Sequence, residues 1–282
     1  VSDIHLEEVH LESSTYSDAG CIFCPQKDVK RKGQMSYDLM MKIVDEAVDL
    51  GCRVFTPFRA NEPLQFPRLM EWLSYFRRKK AQGIIFTNAN NLTLDIGDGL
   101  IKSEAVHSVT VSFHGGTPEI YKANMGLDFH KVRQNVLNFL AMKPPFPVNI
   151  FCMHRSSTVD GETAFMGMFG GVDGFASVGI RGAMEWTGDR PDSMTTIKEW
   201  EREGKEITRV PCSRILRQLD VAYNGDVCLC CVDAHAQINF GNLKEQSIEE
   251  IWNNRLRRWY VEQHEAGNFD LPLCNQCSMN IG

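Results

Sequence analysis

The sequence has no apolar run approaching the ~20 residues that cross a bilayer. Its first residues, Val1-Ser2-Asp3, have neither the basic region nor the apolar core of a signal peptide. The expectation is therefore a cytoplasmic chain that neither spans a membrane nor passes through one. Internal repeats and low-complexity tracts are also missing, so no repeat architecture organises it. Positive charge is not in excess. Thirty Lys and Arg face 36 Asp and Glu, for a net charge of −6 and a pI near 5.8. That balance gives no electrostatic footprint for nucleic acid. The basic run Lys27 to Lys32 reads as a local, solvated loop. The glycine-rich stretch Gly161 to Gly174 lacks G-x-x-x-x-G-K-[S/T], which excludes a phosphate loop. Trp252, Trp259 and Tyr260 lie at helical spacing and read as packing, not as a base-stacking platform.

What is present is an ordinary globular composition, 43% hydrophobic and 23% charged over 282 residues. A chain of this length buries roughly three quarters of its unfolded surface, enough for one large domain and a small one. It holds ten cysteines, several in clusters such as Cys21-x2-Cys24 and Cys274-x2-Cys277. In a chain this large that arrangement points to reduced thiols and metal ligation, not to a disulfide framework.

Apolar periodicity predicts strands at 6–12, Cys52–Phe58, Gly83–Thr87, Val106–Phe113, Val148–Met153 and Val172–Val178. Between them lie helical patterns. Ser36 caps the first, which carries Leu39, Met40, Ile43, Val44, Ala47 and Val48 and ends at Gly51. Others are predicted after Pro67, over Leu94–Lys102, after the Asp128 cap and over Asp160–Phe169. Alternating strands and helices argue for an α/β fold with parallel β/α units. From Pro211 the pattern changes. A hairpin over Leu219–Tyr223 and Val227–Cys231 turns at Asn224-Gly225. Ser247-x-x-Glu250 is a capping box opening a helix to about His264. Alternation along the hairpin predicts Cys228 and Cys230 on one face and Cys231 on the other. Cys52 and Cys152, at or within strands, read as structural.

The loop Thr15-Tyr16-Ser17-Asp18-Ala19-Gly20-Cys21-Ile22-Phe23-Cys24-Pro25 follows the first strand. It resembles the cluster-binding loop of the radical S-adenosylmethionine (SAM) superfamily, C-x3-C-x2-C, in which three thiolates hold a [4Fe–4S] cluster and SAM chelates the fourth iron. Cys21 and Cys24 fill the second and third places, and Ser17 stands in the first. An alcohol is a poor replacement for a thiolate on iron, because it stays protonated at neutral pH. Ala60-Asn61-Glu62-Pro63 resembles the family's Gly-Gly-Glu-Pro segment, with Asn61 in place of the second glycine. Thr87-Asn88-Ala89-Asn90 resembles Thr-Asn-Gly, and Ser112-Phe113-His114-Gly115 resembles Ser-x-Asp-Gly, with His114 for Asp. Singly, Thr87, Ser112 and His154 read as strand-end residues that satisfy local backbone groups; their order over successive strand ends carries the resemblance.

The resemblance implies a partial (β/α)6 TIM-like barrel over residues 1–190. It implies SAM contacts from Phe23, Asn61, Glu62, Pro63, Thr87, Asn88, Ser112, His154 and Arg155. The family's usual Arg near Asn124 or Met125 is absent. Pro211-Cys212, Asn224-Gly225-Asp226-Val227, Gly241-Asn242-Leu243 and Ile251-Trp252 resemble the SPASM/twitch extension. This implies a small C-terminal hairpin-plus-helix Fe–S domain over 191–282, with an auxiliary [4Fe–4S] cluster on Cys212, Cys230, Cys274 and Cys277. Four thiolates alone suit zinc as well; the attached barrel favours iron–sulfur. Cys228 or Cys231 could replace Cys230 as ligand, or donate a hydrogen atom to a substrate radical.

The expected activity is hydrogen abstraction by a 5′-deoxyadenosyl radical from a small polar metabolite (sugar, nucleoside or aminoglycoside) or a peptide. The expected electron donor is a flavodoxin or ferredoxin. The sequence opens at the barrel without a recognition domain ahead of it, which favours the small metabolite. Ser17 marks an engineered or natural first-cysteine variant. It also sustains the alternative, a non-radical SAM-binding protein whose C-terminal cluster is structural or itself reactive, for example as a sulfur source.

Overall fold

A computed structural model of the chain describes residues 4–154, 159–182, 204, 206, 208–275 and 277. Six strands form its larger part: β1 (Glu8–Leu11), β2 (Val54–Thr56), β3 (Gln82–Thr87), β4 (Val106–Ser112), β5 (Val148–His154) and β6 (Ser177–Gly182). They lie in the order β6-β5-β4-β3-β2-β1, every neighbouring pair parallel. The crossovers carry α1 (Tyr37–Asp49), α2 (Leu69–Arg78), α3 (Leu94–Ser103), α4 (Pro118–Met125), α5 (Phe129–Ala141) and α6 (Val159–Phe169). This is the expected partial barrel, an α/β fold with its loops at the C-terminal strand ends.

Local chemistry sets the helix starts. The side chains of Ser36, Thr93, Thr117 and Asp128 each accept a hydrogen bond from a backbone N–H two or three residues into α1, α3, α4 and α5. Leu39, Met40, Ile43, Val44 and Ala47 are the buried face of α1, as their spacing predicts, while Val48, expected on the same face, is half-buried. An aromatic group around Phe113, with Tyr121, Phe129, Phe165 and Phe169, locks the β4 end onto α4, α5 and α6. Gly116 permits this approach: a Cβ there would lie 2.2 Å from the Gly161 carbonyl oxygen and the Phe165 nitrogen.

The C-terminal part is not a separate sheet. β7 (Gln218–Val221) pairs in parallel with β1, and β8 (Asp226–Cys228) and β9 (Asn239–Asn242) continue antiparallel, giving one nine-stranded sheet. The chain reverses at Tyr223–Gly225, where Gly225 takes φ +95°, a conformation that favours glycine. The helices here are α7 (Ser213–Arg217), α8 (Ile248–Trp252) and α9 (Arg255–Glu265). Among the described residues no helix is long and apolar enough to cross a membrane.

Several expectations need correction. β6 begins at Ser177 and not at Val172, because the chain is still turning there: Val172 N bonds Phe169 O, and Gly174 sits at φ +99°. α4 was missed, although Thr117-Pro118 is a cap followed by a first-turn proline. The helix expected from Ser247 to His264 is two helices. The Ser247 capping box forms, but Asn254 caps a new start by accepting from Leu256 N. β8 ends at Cys228, so Cys230 and Cys231 lie in a turn, and strand alternation does not govern the faces they take. The strand β9 was not foreseen. The expected boundary at residue 190 falls outside the described residues.

Candidate metal centres

The cysteine loop after β1 is fixed by backbone bonds to the loop after β2 and to the C-terminal end of α4. Glu62 N donates to Tyr16 O (2.8 Å), Gly20 N to Met125 O (2.8 Å), and Ile22 N to Asn124 O (3.0 Å). Cys21 and Cys24 are half-buried and joined by the bond from Cys24 N to Cys21 O (3.2 Å). Burial, and then the neighbouring Cys24, push the Cys21 thiol up to about 12. Two adjacent thiols that oppose each other's ionisation could hold a cation. Ser17 does not add a third. Its Oγ accepts from Ala19 N at 3.3 Å, a local turn bond. The donor set for a SAM-binding cluster is therefore two thiols and one hydroxyl, which fits a three-thiolate cluster incompletely.

Asp18, next to Ser17, is held more firmly than either. Its Oδ1 accepts from Asn88 Nδ2 (2.8 Å), and its Oδ2 from Asn90 Nδ2 (2.6 Å) and Asn91 Nδ2 (2.8 Å). Three neutral amides thus tie the loop to the end of β3. The sequence contained this signal in the Asn88-Ala89-Asn90-Asn91 run, but nothing paired it with Asp18.

Glu62 begins the turn at Pro63 and is 2% exposed. It accepts from Thr87 Oγ1 (2.6 Å), Asn88 N (2.7 Å) and Leu64 N (3.1 Å), all neutral donors. Burial raises its carboxyl to about 7 despite these bonds. An acid buried against neutral donors is suited to receive a ligand ammonium. Asn61 supports the turn: its Oδ1 accepts from Arg59 N (3.0 Å), and its Nδ2 donates to Ser13 Oγ (3.0 Å). Ser112 closes β4, half-buried. His114 is buried and its imidazole is pushed down to about 3 by burial. Its ring stands between Phe23 of the cysteine loop (5.0 Å) and Phe151 (5.3 Å). The Arg181 guanidinium lies 4.7 Å over the Phe151 ring, a cation that sequence reasoning missed. His154 ends β5, and Arg155 lies outside the described residues.

The second cysteine group flanks β7 in sequence, with Cys212 before it and Cys230, Cys274 and Cys277 after it. Burial, then Cys231, Asp220 and Cys277, raise the Cys230 thiol well above its ordinary value. Burial, then Cys277 and Cys212, raise Cys274 to about 12. The four expected positions Cys212, Cys230, Cys274 and Cys277 thus fall in one group, Cys277 beside both Cys230 and Cys274, and Cys274 beside Cys212. Four such thiols would fit a soft, cationic iron–sulfur core. Arg209 cradles the group from its backbone side, with Nη2 donating to Cys274 O (2.6 Å) and Cys277 O (3.5 Å). His264 Nδ1 accepts from Cys212 N (3.4 Å), and its Nε2 lies 3.4 Å from Cys274 Sγ.

The remaining cysteines are otherwise engaged. Cys228 is buried, and its thiol donates to Asp226 O at 3.7 Å. Cys231 Sγ accepts from Arg214 Nη1. Cys231 also meets His10 and Asp220, their ligand atoms lying within 4.8 Å of one another. His10 pairs with Asp220 (3.3 Å) and Glu8 (3.0 Å), and Arg214 covers the sulfur, so the array already balances its charge with protein cations. Arg59, from the loop before Glu62, donates to Asp233 O (2.8 Å) and Cys230 O (3.3 Å) and so joins the two sites. A cleft of about 420 Å³ opens beside them, lined by Asp28, Val29, Lys30, Arg31 and His235.

Residues 212–278 match the family model of SPASM, an iron–sulfur cluster-binding domain. No curated protein matches the chain significantly in sequence. Solved structures share its fold. BtrN in complex with AdoMet and 2-DOIA is 16% identical with TM-score 0.66, over 98% of this chain and 94% of that one. Streptococcus suis SuiB bound to precursor peptide SuiA is 14% identical with TM-score 0.73, over 98% and 70%. Native anSMEcpe with bound AdoMet is 16% identical with TM-score 0.69, over 96% and 89%. These likenesses show the fold, and the SPASM match indicates an iron–sulfur cluster-binding segment over residues 212–278 of this chain.

Proposed function

We propose that this chain, which joins a SPASM iron–sulfur domain to a barrel of the radical SAM fold, is a radical SAM enzyme with Ser17 in the first cluster position. The observation that carries the proposal is the convergence of the strand-end motifs. Glu62 takes bonds from Thr87 and Asn88, while Asn88, Asn90 and Asn91 hold Asp18 in the cysteine loop. The barrel, assigned to residues 1–190, binds SAM, and the segment 191–282 holds the auxiliary cluster on Cys212, Cys230, Cys274 and Cys277.

SAM bound at a reduced cluster supplies a 5′-deoxyadenosyl radical for hydrogen abstraction, the chemistry that protein side chains lack. The chain's own residues position it. Glu62 receives the ammonium of SAM, Phe23 and His114 wall the pocket, and Asn61 and Pro63 hold the turn that presents Glu62. Arg155 and His154, with Ser112, complete the expected contacts. The substrate class is a small polar metabolite or a peptide. Fold neighbours captured with 2-DOIA and with the peptides SuiA and Cp18Cys support both classes. An electron carrier such as a flavodoxin or ferredoxin would approach the cysteine loop, where Lys27, Lys30 and Lys32 are exposed.

Ser17 favours a second reading, a SAM-binding protein without radical chemistry whose C-terminal cluster is structural or a sulfur source. Anaerobic reconstitution separates the two. About eight irons per chain with 5′-deoxyadenosine formation supports the first, since each cubane holds four. About four irons, with SAM bound but not cleaved, supports the second. Zinc without iron overturns both.

A further inference from the structure

We propose that His264 tunes the reduction potential of the C-terminal cluster by donating its Nε2–H to the Cys274 sulfur. The inference rests on the reading of Cys274 as a cluster ligand. His264 stands in the last turn of α9, 2% exposed, where any apolar side chain would fill space. Instead an imidazole is present with both nitrogens engaged. Nδ1 accepts the backbone N–H of Cys212 (3.4 Å). A ring nitrogen that accepts carries no proton, so the proton of this neutral imidazole resides on Nε2. Nε2 faces Cys274 Sγ at 3.4 Å, within the reach of an N–H to sulfur bond. The Cys212 amide therefore selects the tautomer that presents a donor to Cys274, and one side chain connects two of the four ligand positions.

The ring has little freedom to turn away. Phe269 packs edge-on against it (5.4 Å). The Arg209 guanidinium lies 4.8 Å over that same Phe269 ring while it binds the Cys274 and Cys277 carbonyls. A donor aimed at a ligand sulfur stabilises the more negative, reduced cluster more than the oxidised one, and so raises the potential. His264 is thus a positioning residue that acts on the cluster through Cys274.

The test uses the anaerobically reconstituted full chain. In wild-type protein labelled with ¹⁵N-histidine, pulsed EPR of the reduced C-terminal cluster is expected to show coupling to one non-ligand histidine nitrogen, with an exchangeable proton in D₂O. His264→Leu is expected to load iron at this site and to lower its midpoint potential. The shift corresponds to about a tenfold change in the reduced-to-oxidised ratio at fixed potential, ~59 mV for one electron. His264→Gln, which retains an amide donor, should recover most of it. Absence of the ¹⁵N coupling in the wild type overturns the inference whether or not the variants fold. So does an unshifted potential in iron-loaded His264→Leu, or an equal shift in both variants. Zinc in place of iron would overturn the reading beneath it as well, so the two failures are distinguishable by metal analysis.

Discussion

The two cysteine groups are built in opposite ways. The loop after β1 has little donor chemistry and much scaffolding. It offers two thiols and the Ser17 hydroxyl, yet three backbone bonds and three asparagine amides hold it in place. The C-terminal group has four thiols and relies on cations and an imidazole, with Arg209 on its carbonyls and His264 beside Cys274. The contrast teaches that a metal-binding shape can be specified by neutral hydrogen bonds independently of the ligands. On the proposed reading, replacing one thiol by a hydroxyl would lower the affinity for iron without removing the loop.

The largest effect should come from restoring the missing donor. Under the second reading, in which the wild type holds about four irons, Ser17→Cys should raise iron to about eight per chain and turn on SAM cleavage. Under the first, in which the wild type already holds about eight, it should leave iron content unchanged and speed SAM cleavage, both read by metal analysis and 5′-deoxyadenosine assay. Iron that stays at about four per chain in Ser17→Cys would break the comparison, because the loop would then lack more than a ligand. The mirror experiment removes a ligand from the other group. Cys274→Ala should lose the C-terminal cluster, about four irons, while the response to Ser17→Cys persists in the double variant. Loss of both would mean that Arg59, which reaches Cys230 and Asp233 carbonyls from the loop before Glu62, couples the sites tightly.

Much of this was legible in the sequence where chemistry and period coincide. Ser36, Asp128 and the Ser247 box cap helices where their side chains predict; β1, β2 and β4 lie within their expected stretches, and β3 and β5 overrun theirs by one residue. What was hidden depends on distant partners. Asp18 finds its amides about 70 residues away, at positions that also read as a plain turn. His264 occupies a helix position whose spacing says only that it is buried. The sheet continuing from β1 into β7 joins segments some 210 residues apart, and no local pattern encodes that pairing. The Val172–Val178 run looked like a strand because it is apolar, but Gly174 turns it.

A smaller effect concerns the SAM pocket. Glu62→Gln should weaken SAM binding by roughly 10- to 100-fold, the worth of one charge-assisted hydrogen bond, measured by titration calorimetry. The wild type should show a pH dependence that the variant lacks. With its carboxyl raised to about 7, Glu62 is protonated below that pH and cannot attract an ammonium, so SAM affinity should rise as pH increases through 7. Stability without SAM should run the other way. A carboxyl raised above its unfolded value favours the fold most fully below pH about 4.5, and the contribution is lost as pH rises through about 7. Opposite slopes for binding and stability would assign both to one residue, and parallel slopes would refute the assignment.

The smallest effect tests the scaffold itself. Asp18→Asn keeps the shape of the side chain but replaces one acceptor oxygen with a donor, which then opposes the amides of Asn88, Asn90 or Asn91. The cost of one or two unmade, half-buried bonds is about 1–3 kcal/mol. For a chain of this size that lowers Tm by a few degrees, roughly 2–4 °C per kcal/mol. Scanning calorimetry measures it directly. The C-terminal cluster should keep its absorption and iron content, because its thiols rest on Arg209 and α9, not on this loop. In the Ser17→Cys background the same change should reduce iron uptake at the N-terminal loop alone. A cluster that loads there as well in Asp18→Asn as in its parent would show that the three cysteines organise the loop unaided. The asparagine clamp would then be packing, and the two sites would differ in donor count but not in how they are held.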